Sequence, residues 1–355
     1  MKAQKFSIFH LLIFFVVAAL VVACSQSENS EHNEADHTEE TEMLTLPELA
    51  PAALDGEPLR VVATTSIIGD VVAQVGGAAI QLTTLIAPGQ DPHSYQPAAR
   101  DLTVVADAHV ILVNGWNLEE GLARDLENIA GEVPIIAVSA GITPHTAGGD
   151  EHEDEHAEEH KDDDDQDHDH DHGGVDPHVW IEIDSVEQWV TNIERVLTDL
   201  DPANADTYKR NADTYRRELS ELAAYTTAQL AQIPAENRIL VTSHDSLSYF
   251  AEAYDFTVLG AVIPAASTLA EPSASDLAAL IREMEEAGVC AIFTETTLSD
   301  SLAQTVAAEL ETCTNVQVIP LYTGAIGPVG SGADSYVGMF RTNIDAIVSG
   351  LTAGK

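Results

Sequence analysis

The chain has 355 residues, 59 of them Asp or Glu against 15 Lys or Arg, for a formal net charge of −44. That balance excludes nucleic acid as a partner, because phosphate would be repelled. It also concentrates cations near the surface, although adaptation to salty surroundings explains it equally well.

The first residues direct the protein out of the cytoplasm. Lys2 and Lys5 precede an apolar run from Ile8 to Ala23, broken only by His10. A basic start, a short apolar stretch and a small residue before a cut predict a signal peptide over residues 1–23. The run is too short and wrongly flanked for a spanning helix. Val21-Val22-Ala23-Cys24 resembles a bacterial lipobox, in which the thiol carries lipid and becomes the new N-terminus; the alternative is a signal cut elsewhere with Cys24 an ordinary thiol. Residues 24–58 then read as a lipidated, disordered tether. From Ser25 to Pro58 they carry ten acids, no Lys or Arg and few large apolar residues. His32 and His37 lie in this tether and read as solvated.

From about Leu59 the chain alternates short apolar strands with helices. Strand Arg60–Thr64 leads to a helix over Ile67–Val75, and strand Gln81–Ile86 ends at Pro88-Gly89. Helix Ala98–Ala106, strand Val110–Val113, helix Leu118–Ile129 and strand Pro134–Val138 follow. Next comes a tract from His145 to His172 that alternates histidine with acid. His145, His152, His156, His160, His168, His170 and His172 are half of the chain's fourteen histidines, set among fourteen acids and one base, Lys161. Such a tract has almost nothing apolar to bury and cannot pack a core. Imidazole and carboxylate both suit Zn²⁺, so the tract is an accessory metal-binding loop or, more plainly, a solvated acidic one.

Helix Ser185–Leu200 follows, and Asp201-Pro202 opens another, with Asp as cap and Pro at its first position. The pattern continues through Tyr208, Tyr215, Leu219, Leu222 and Leu230 to Pro234: roughly thirty residues, or about 45 Å, a structural spine. A second alternation runs from strand Ile239–Thr242 through helix Leu247–Tyr254, strand Phe256–Leu259, helix Ser275–Ala287, strand Ala291–Thr294, helix Ser301–Leu310 and strand Val316–Ile319 to a last helix from about Asp334. The fold class is therefore α/β: two lobes with parallel sheets flanked by helices, over residues 59–200 and 235–355, joined by a spine helix over 201–234. Cys290 and Cys313 remain as an isolated pair. Outside the cytoplasm they read as a disulfide, since no CxxC or nearby Cys-His spacing favours a metal site.

Ligands in such sheets gather at the carboxyl ends of strands, which places a site between the lobes. Outside the signal, tether and tract, four histidines are left: His93, His109, His178 and His244. Three follow strand ends. His93 lies in Gly89-Gln90-Asp91-Pro92-His93-Ser94-Tyr95-Gln96-Pro97, His178 in Asp176-Pro177-His178-Val179-Trp180, and His244 in Thr242-Ser243-His244-Asp245. Proline before the first two stiffens the approach of a ring that must be held in place. Singly, each would be an ordinary loop or core histidine; together they converge on one cleft. His109 opens a strand on the opposite edge and reads as structural.

At these motifs the chain resembles the metal-receptor lipoproteins of ABC importers, the zinc and manganese solute-binding family, over nearly everything from Leu59 onward. Asp-Pro-His-Ser-Tyr-Gln-Pro, Asp-Pro-His-Val-Trp, Thr-Ser-His-Asp-Ser-Leu-Ser-Tyr-Phe and Gly-Ala-Asp-Ser-Tyr carry the resemblance. It implies imidazole ligands from His93, His178 and His244 and a fourth ligand from Asp334, a place that other zinc members give to water or another acid. It also implies a membrane permease as partner, a lipid-anchored extracytoplasmic location and a monomer. Three imidazoles and one oxygen suit tetrahedral Zn²⁺ as the transported ligand. Mn²⁺ is the alternative, but related manganese receptors typically carry Glu where this chain has His244. The resemblance further makes the tract a collector or sensor of the ion. Asp91, Asp176 and Asp245 flank the histidines and either orient a ring or form turns; Glu295 is a candidate supporting group or substitute oxygen ligand. The remote alternatives are a secreted zinc hydrolase, which the lack of HExxH disfavours, and a surface adhesin with metal as a staple.

Overall fold

The structure is a computed structural model that describes residues 43–146 and 174–352. The expected signal peptide, Cys24 and the tract beyond Thr146 lie outside the described residues.

The first lobe is built from β1 (Leu59–Ala63), α1 (Ser66–Gly76), β2 (Ile80–Thr84), α2 (Ala99–Ala106), β3 (Val110–Val113), α3 (Glu120–Ala130) and β4 (Ile135–Ala137). Its sheet runs β2-β1-β3-β4 with every pair parallel. Both faces of a parallel sheet need cover, and the strands supply it: Val61 and Ala63 face one apolar cluster while Val62 and Ile111 face another. Thr65 starts α1 by accepting the Ile68 N–H at 3.2 Å, satisfying one of the free donors of a helix start.

A two-residue antiparallel ladder follows, β5 (His145–Thr146) on β6 (Val175–Asp176). It pairs the residues on either side of the undescribed part of the His/Asp tract. Helix α4 (Ile183–Leu200) and helix α5 (Ala205–Leu230) come next. At 26 residues, α5 is about 39 Å long. It is the expected spine, packing on α1 and α4 of the first lobe and on α9 (Tyr336–Thr352) of the second. Its start differs from expectation. Pro202–Asn204 form a separate 3₁₀ turn, and the Asp201 carboxylate receives Asn204 Nδ2 at 2.7 Å and Tyr208 OH at 2.8 Å rather than helix-start N–H groups.

The second lobe contains β7 (Ile239–His244), α6 (Ser248–Tyr254), β8 (Thr257–Ile263), α7 (Ala274–Ala287), β9 (Ala291–Glu295), α8 (Ser301–Glu309), β10 (Gln317–Leu321) and α9. Its sheet, β8-β7-β9-β10, repeats the first lobe's topology and is again parallel throughout. Cys290 and Cys313 form the expected disulfide. One apolar cluster runs from Leu59 through Trp189, Tyr208 and Leu222 to Phe293, Met339 and Phe340, so both lobes and the spine share a core.

One expectation needs correction. The tether was expected to stay disordered to Pro58, but residues 43–58 lie against the first lobe. Leu46, Leu49, Ala52 and Leu54 pack on the shared core, Ala52 N donates to Leu200 O at 2.8 Å, and Gly141 N donates to Leu44 O at 2.9 Å. Seven of the ten acids lie before residue 43, and from there four leucines at short spacing against three acids provide enough apolar area to dock an extended segment.

Candidate metal centre

Three side chains meet between the lobes. The Nε2 atoms of His93 and His178 are 3.2 Å apart, as are those of His178 and His244. The rings are 1–2% exposed, and each presents an atom to a common point, all within 4.8 Å of one another. Two nitrogens bound tetrahedrally at the usual Zn–N length stand roughly 3.3 Å apart, so this spacing already fits a single small ion.

Each ring arrives by a different route. His244 ends β7 and is carried by the sheet itself. His178 follows β6 and is fixed by what surrounds it: Trp180 Nε1 donates to Thr323 O at 2.7 Å, and Tyr336 OH donates to Trp180 O at 2.9 Å. These two bonds tie the first lobe's ligand segment to the loop beyond β10 and to the start of α9. His93 comes from the loop after β2, where the Asp91 carboxylate accepts its backbone N–H at 3.1 Å together with Ser94 Oγ at 2.6 Å and Thr268 Oγ1 at 2.8 Å. Asp91 is thus the turn former, not the ring's partner.

A carboxylate stands behind every ring at Nδ1, which leaves the Nε2 lone pair facing the common point. His178 Nδ1 lies 2.7 Å from Asp176 Oδ1. The other Asp176 oxygen accepts from Ser248 Oγ, and its backbone oxygen from Tyr249 OH at 3.1 Å. Burial alone would raise the Asp176 carboxyl, but the His178 charge and hydrogen bond outweigh it and hold the group below the ordinary range. Burial holds the His178 ring below its ordinary value, against the pull of Asp176. His244 Nδ1 stands 3.0 Å from Glu295 Oε2, an ion pair that is not a straight hydrogen bond. Burial would raise Glu295 too, yet His244 and Thr297 bring it down to about 2. Burial pushes His244 down, and Glu295 more than reverses that. His93 Nδ1 lies 3.3 Å from Glu120 Oε1, on a carboxylate 29% exposed; the bond to His93 lowers the Glu120 carboxyl.

Glu120 was not foreseen in the sequence. It begins α3, far along the chain from His93, and only its place just past the carboxyl end of β3 could have signalled it. Glu119 beside it is fully buried and accepts from Thr64 Oγ1 at 2.5 Å and Asn114 N at 2.9 Å; burial raises its carboxyl. Glu295 takes the supporting place rather than a ligand's. His109 is structural as expected, its Nδ1 accepting the Arg60 N–H at 2.9 Å.

Asp334, expected as the fourth ligand, does not join the cluster. It is exposed, and its Oδ2 accepts the Gly330 N–H at 2.7 Å, closing the loop ahead of α9. The Tyr336 N–H at the start of α9 is taken by Asp70 instead, at 2.9 Å. Among the described residues the group whose ligand atoms converge is the three histidines alone. Of the tract's histidines only His145 is described. It stacks on Tyr249 at 3.8 Å between centroids, with Nδ1 3.2 Å from Ser248 Oγ and Nε2 2.9 Å from Glu252.

The model of the family described as zinc-uptake complex component A, periplasmic, matches residues 61–350. The manganese-binding lipoprotein MntA of Halalkalibacterium halodurans is 33% identical over 84% of this chain and 90% of its own length. The zinc-binding protein TroA of Treponema pallidum is 30% identical over 84% and 91%, and its solved structure superimposes with a TM-score of 0.70, at 29% identity, over 83% of this chain and 99% of that one. A manganese-bound periplasmic metal-binding protein from Candidatus Liberibacter asiaticus gives a TM-score of 0.68 at 28% identity, over 82% and 99%. The chain therefore belongs to the zinc-uptake component A family, the extracytoplasmic metal-binding receptors that work with the membrane permease of an ABC importer.

Proposed function

We propose that this receptor captures Zn²⁺ as its cargo on His93 Nε2, His178 Nε2 and His244 Nε2, with solvent in the fourth position, and delivers it to the permease. The observation that carries this reading is the donor set: three buried imidazole nitrogens converge with no carboxylate among them. Zinc accepts such a set, whereas manganese favours more oxygen. The buried carboxylates behind the rings fix the tautomers and raise ligand basicity without entering the coordination shell.

Release is a matter of loosening one loop rather than swinging the lobes apart, since the spine and the shared core hold them together. The His93 loop, backed by the partly exposed Glu120 of α3, is the segment that moves. The tract from His145 to His172 gathers ions at weaker affinity than the three-histidine site. The chain acts as a monomer anchored by lipid on Cys24.

The test is metal content per chain after equilibration with equal Zn²⁺ and Mn²⁺ and dialysis. It is run on the protein, on His244→Ala, and on a version lacking residues 145–172. One retained zinc, lost in His244→Ala and kept without the tract, is the expected result. Retained manganese reassigns the cargo, and zinc lost with the tract overturns the three-histidine site. Radiolabelled fatty acid incorporated by the full chain and not by Cys24→Ser checks the anchor.

A further inference from the structure

Gly324 lies buried in the loop just past β10, beside the carboxyl end of β9, where Leu321 pairs with Glu295. It is not among the glycines with positive φ, so its backbone is open to any residue. What it lacks is room. A Cβ placed there would fall 2.2 Å from Glu295 Oε1, 3.3 Å from Pro92 Cδ and 3.4 Å from Thr297 Oγ1. All three neighbours belong to the metal centre: Pro92 precedes His93, and Thr297 Oγ1 donates to Glu295 Oε1 at 2.7 Å.

Both oxygens of Glu295 are thereby engaged away from the converging nitrogens, one on Thr297 and one at His244 Nδ1. The missing side chain at 324 makes the space in which the carboxylate takes this pose. We propose that Gly324 is a positioning and specificity-determining residue: by leaving that space, it seats Glu295 behind His244, so the ion meets three imidazoles and no carboxylate. This rests on the three-histidine zinc reading above. A side chain at 324 forces Oε1 out of its seat, which frees the His244 ring and releases a buried carboxylate near the ion. Zinc then loses a well-oriented imidazole, whereas an ion with a preference for oxygen loses less.

The experiment is a double-mutant cycle of Gly324→Ala and Glu295→Ala, read as Zn²⁺ and Mn²⁺ dissociation constants by chelator competition, with thermal unfolding beside it. Gly324→Ala lowers zinc affinity by about 10–100-fold, the range for a supporting group, and narrows the preference for zinc over manganese. In the Glu295→Ala background the same glycine change has no further effect, because the clashing oxygen is gone. Equal losses in both backgrounds overturn the proposal, as does a Gly324→Ala protein with unchanged zinc affinity and preference. Should Gly324→Ala alone fail to fold, recovery of folding in the double variant supports the clash, and continued failure overturns it. Tight zinc retained by His244→Ala would instead sink the underlying site reading, so the two failures are told apart.

Discussion

The two lobes have the same strand order and parallel sheets, yet they present their ligands differently. The second lobe holds His244 on the last residue of a central strand and backs it with Glu295, 2% exposed, from the end of the neighbouring strand. The first lobe sends His93 out on a loop beyond β2 and backs it with Glu120, 29% exposed, at 3.3 Å. His178, returning from the tract, stands between these cases: it comes from a loop, but Asp176 and Trp180 lock it as firmly as a strand would. A repeated scaffold has thus been given one fixed end and one adjustable end, which suits a receptor that must both hold an ion and let it go.

The supporting carboxylates separate the lobes most directly. Glu295→Gln costs zinc affinity nearer the 100-fold end of the range for such groups, and Glu120→Gln nearer the tenfold end. Burial sets the order, since a solvated partner is replaced by water more easily than a dry one. Chelator competition on both variants is the measurement, and equal costs would erase the distinction between the ends.

Stability divides the molecule differently. The disulfide closes a loop of the second lobe across a sequence separation of 23, worth about 3 kcal/mol in the chain-entropy model. Cys290 lies just before β9 and Cys313 before β10, while Glu295 ends β9 at the opposite edge. Reduction should therefore lower the denaturation midpoint and leave zinc affinity unchanged. Titration of both with urea and chelator checks this, and an affinity loss on reduction would show that the fixed end depends on the far edge of its sheet.

Most of this organisation is legible in the sequence, for identifiable reasons. Val110–Val113 and Ala291–Thr294 read as strands because a parallel strand covered on both faces is apolar without alternation. The three converging histidines are visible because histidine is scarce in the body and each follows a strand. Glu120 was not legible, since its partner is 27 positions away and joins it only through the fold. Asp334 reads as a ligand because its motif sits just ahead of a helix, where a carboxylate often has work to do. Here that work is a loop closure at Gly330. The docking of residues 43–58 was hidden by averaging over 25–58, where seven acids ahead of residue 43 mask four well-placed leucines after it.

Proton competition is the next way to sharpen the contrast. His244 is raised above its ordinary 6.5, and Glu295 is lowered from 4.5 to about 2. In the metal-free protein the Glu295 contribution is fully present above 4.5 and is lost as pH falls toward 2. The His244 contribution is fully present below 6.5 and is lost as pH rises through its raised value. The stability of the protein over Glu295→Gln should then be greatest between about pH 4.5 and 6.5 and decline on the alkaline side. Zinc must expel the proton held on His244 in that same window. His178 is held below its ordinary value by burial and competes less. The rise in Tm on adding zinc should therefore be smaller at about pH 6 than at about pH 8, and a pH-independent shift would break the assignment of the proton to the second lobe.

The smallest effect expected is at Asp334. If the site needs only the three imidazoles and solvent, Asp334→Asn leaves zinc affinity within about threefold, because the exposed carboxylate lies outside the cluster. Its loss should be felt instead in the loop it closes, where a hydrogen bond to the Gly330 N–H is weakened by about 1 kcal/mol. Amide exchange at Gly330 beside zinc competition reads the two quantities separately. A loss of affinity near that of His244→Ala would mean that the loop ahead of α9 carries its carboxylate to the ion when zinc binds. The second lobe would then have an adjustable element of its own, and the division between a fixed and a yielding end would fall.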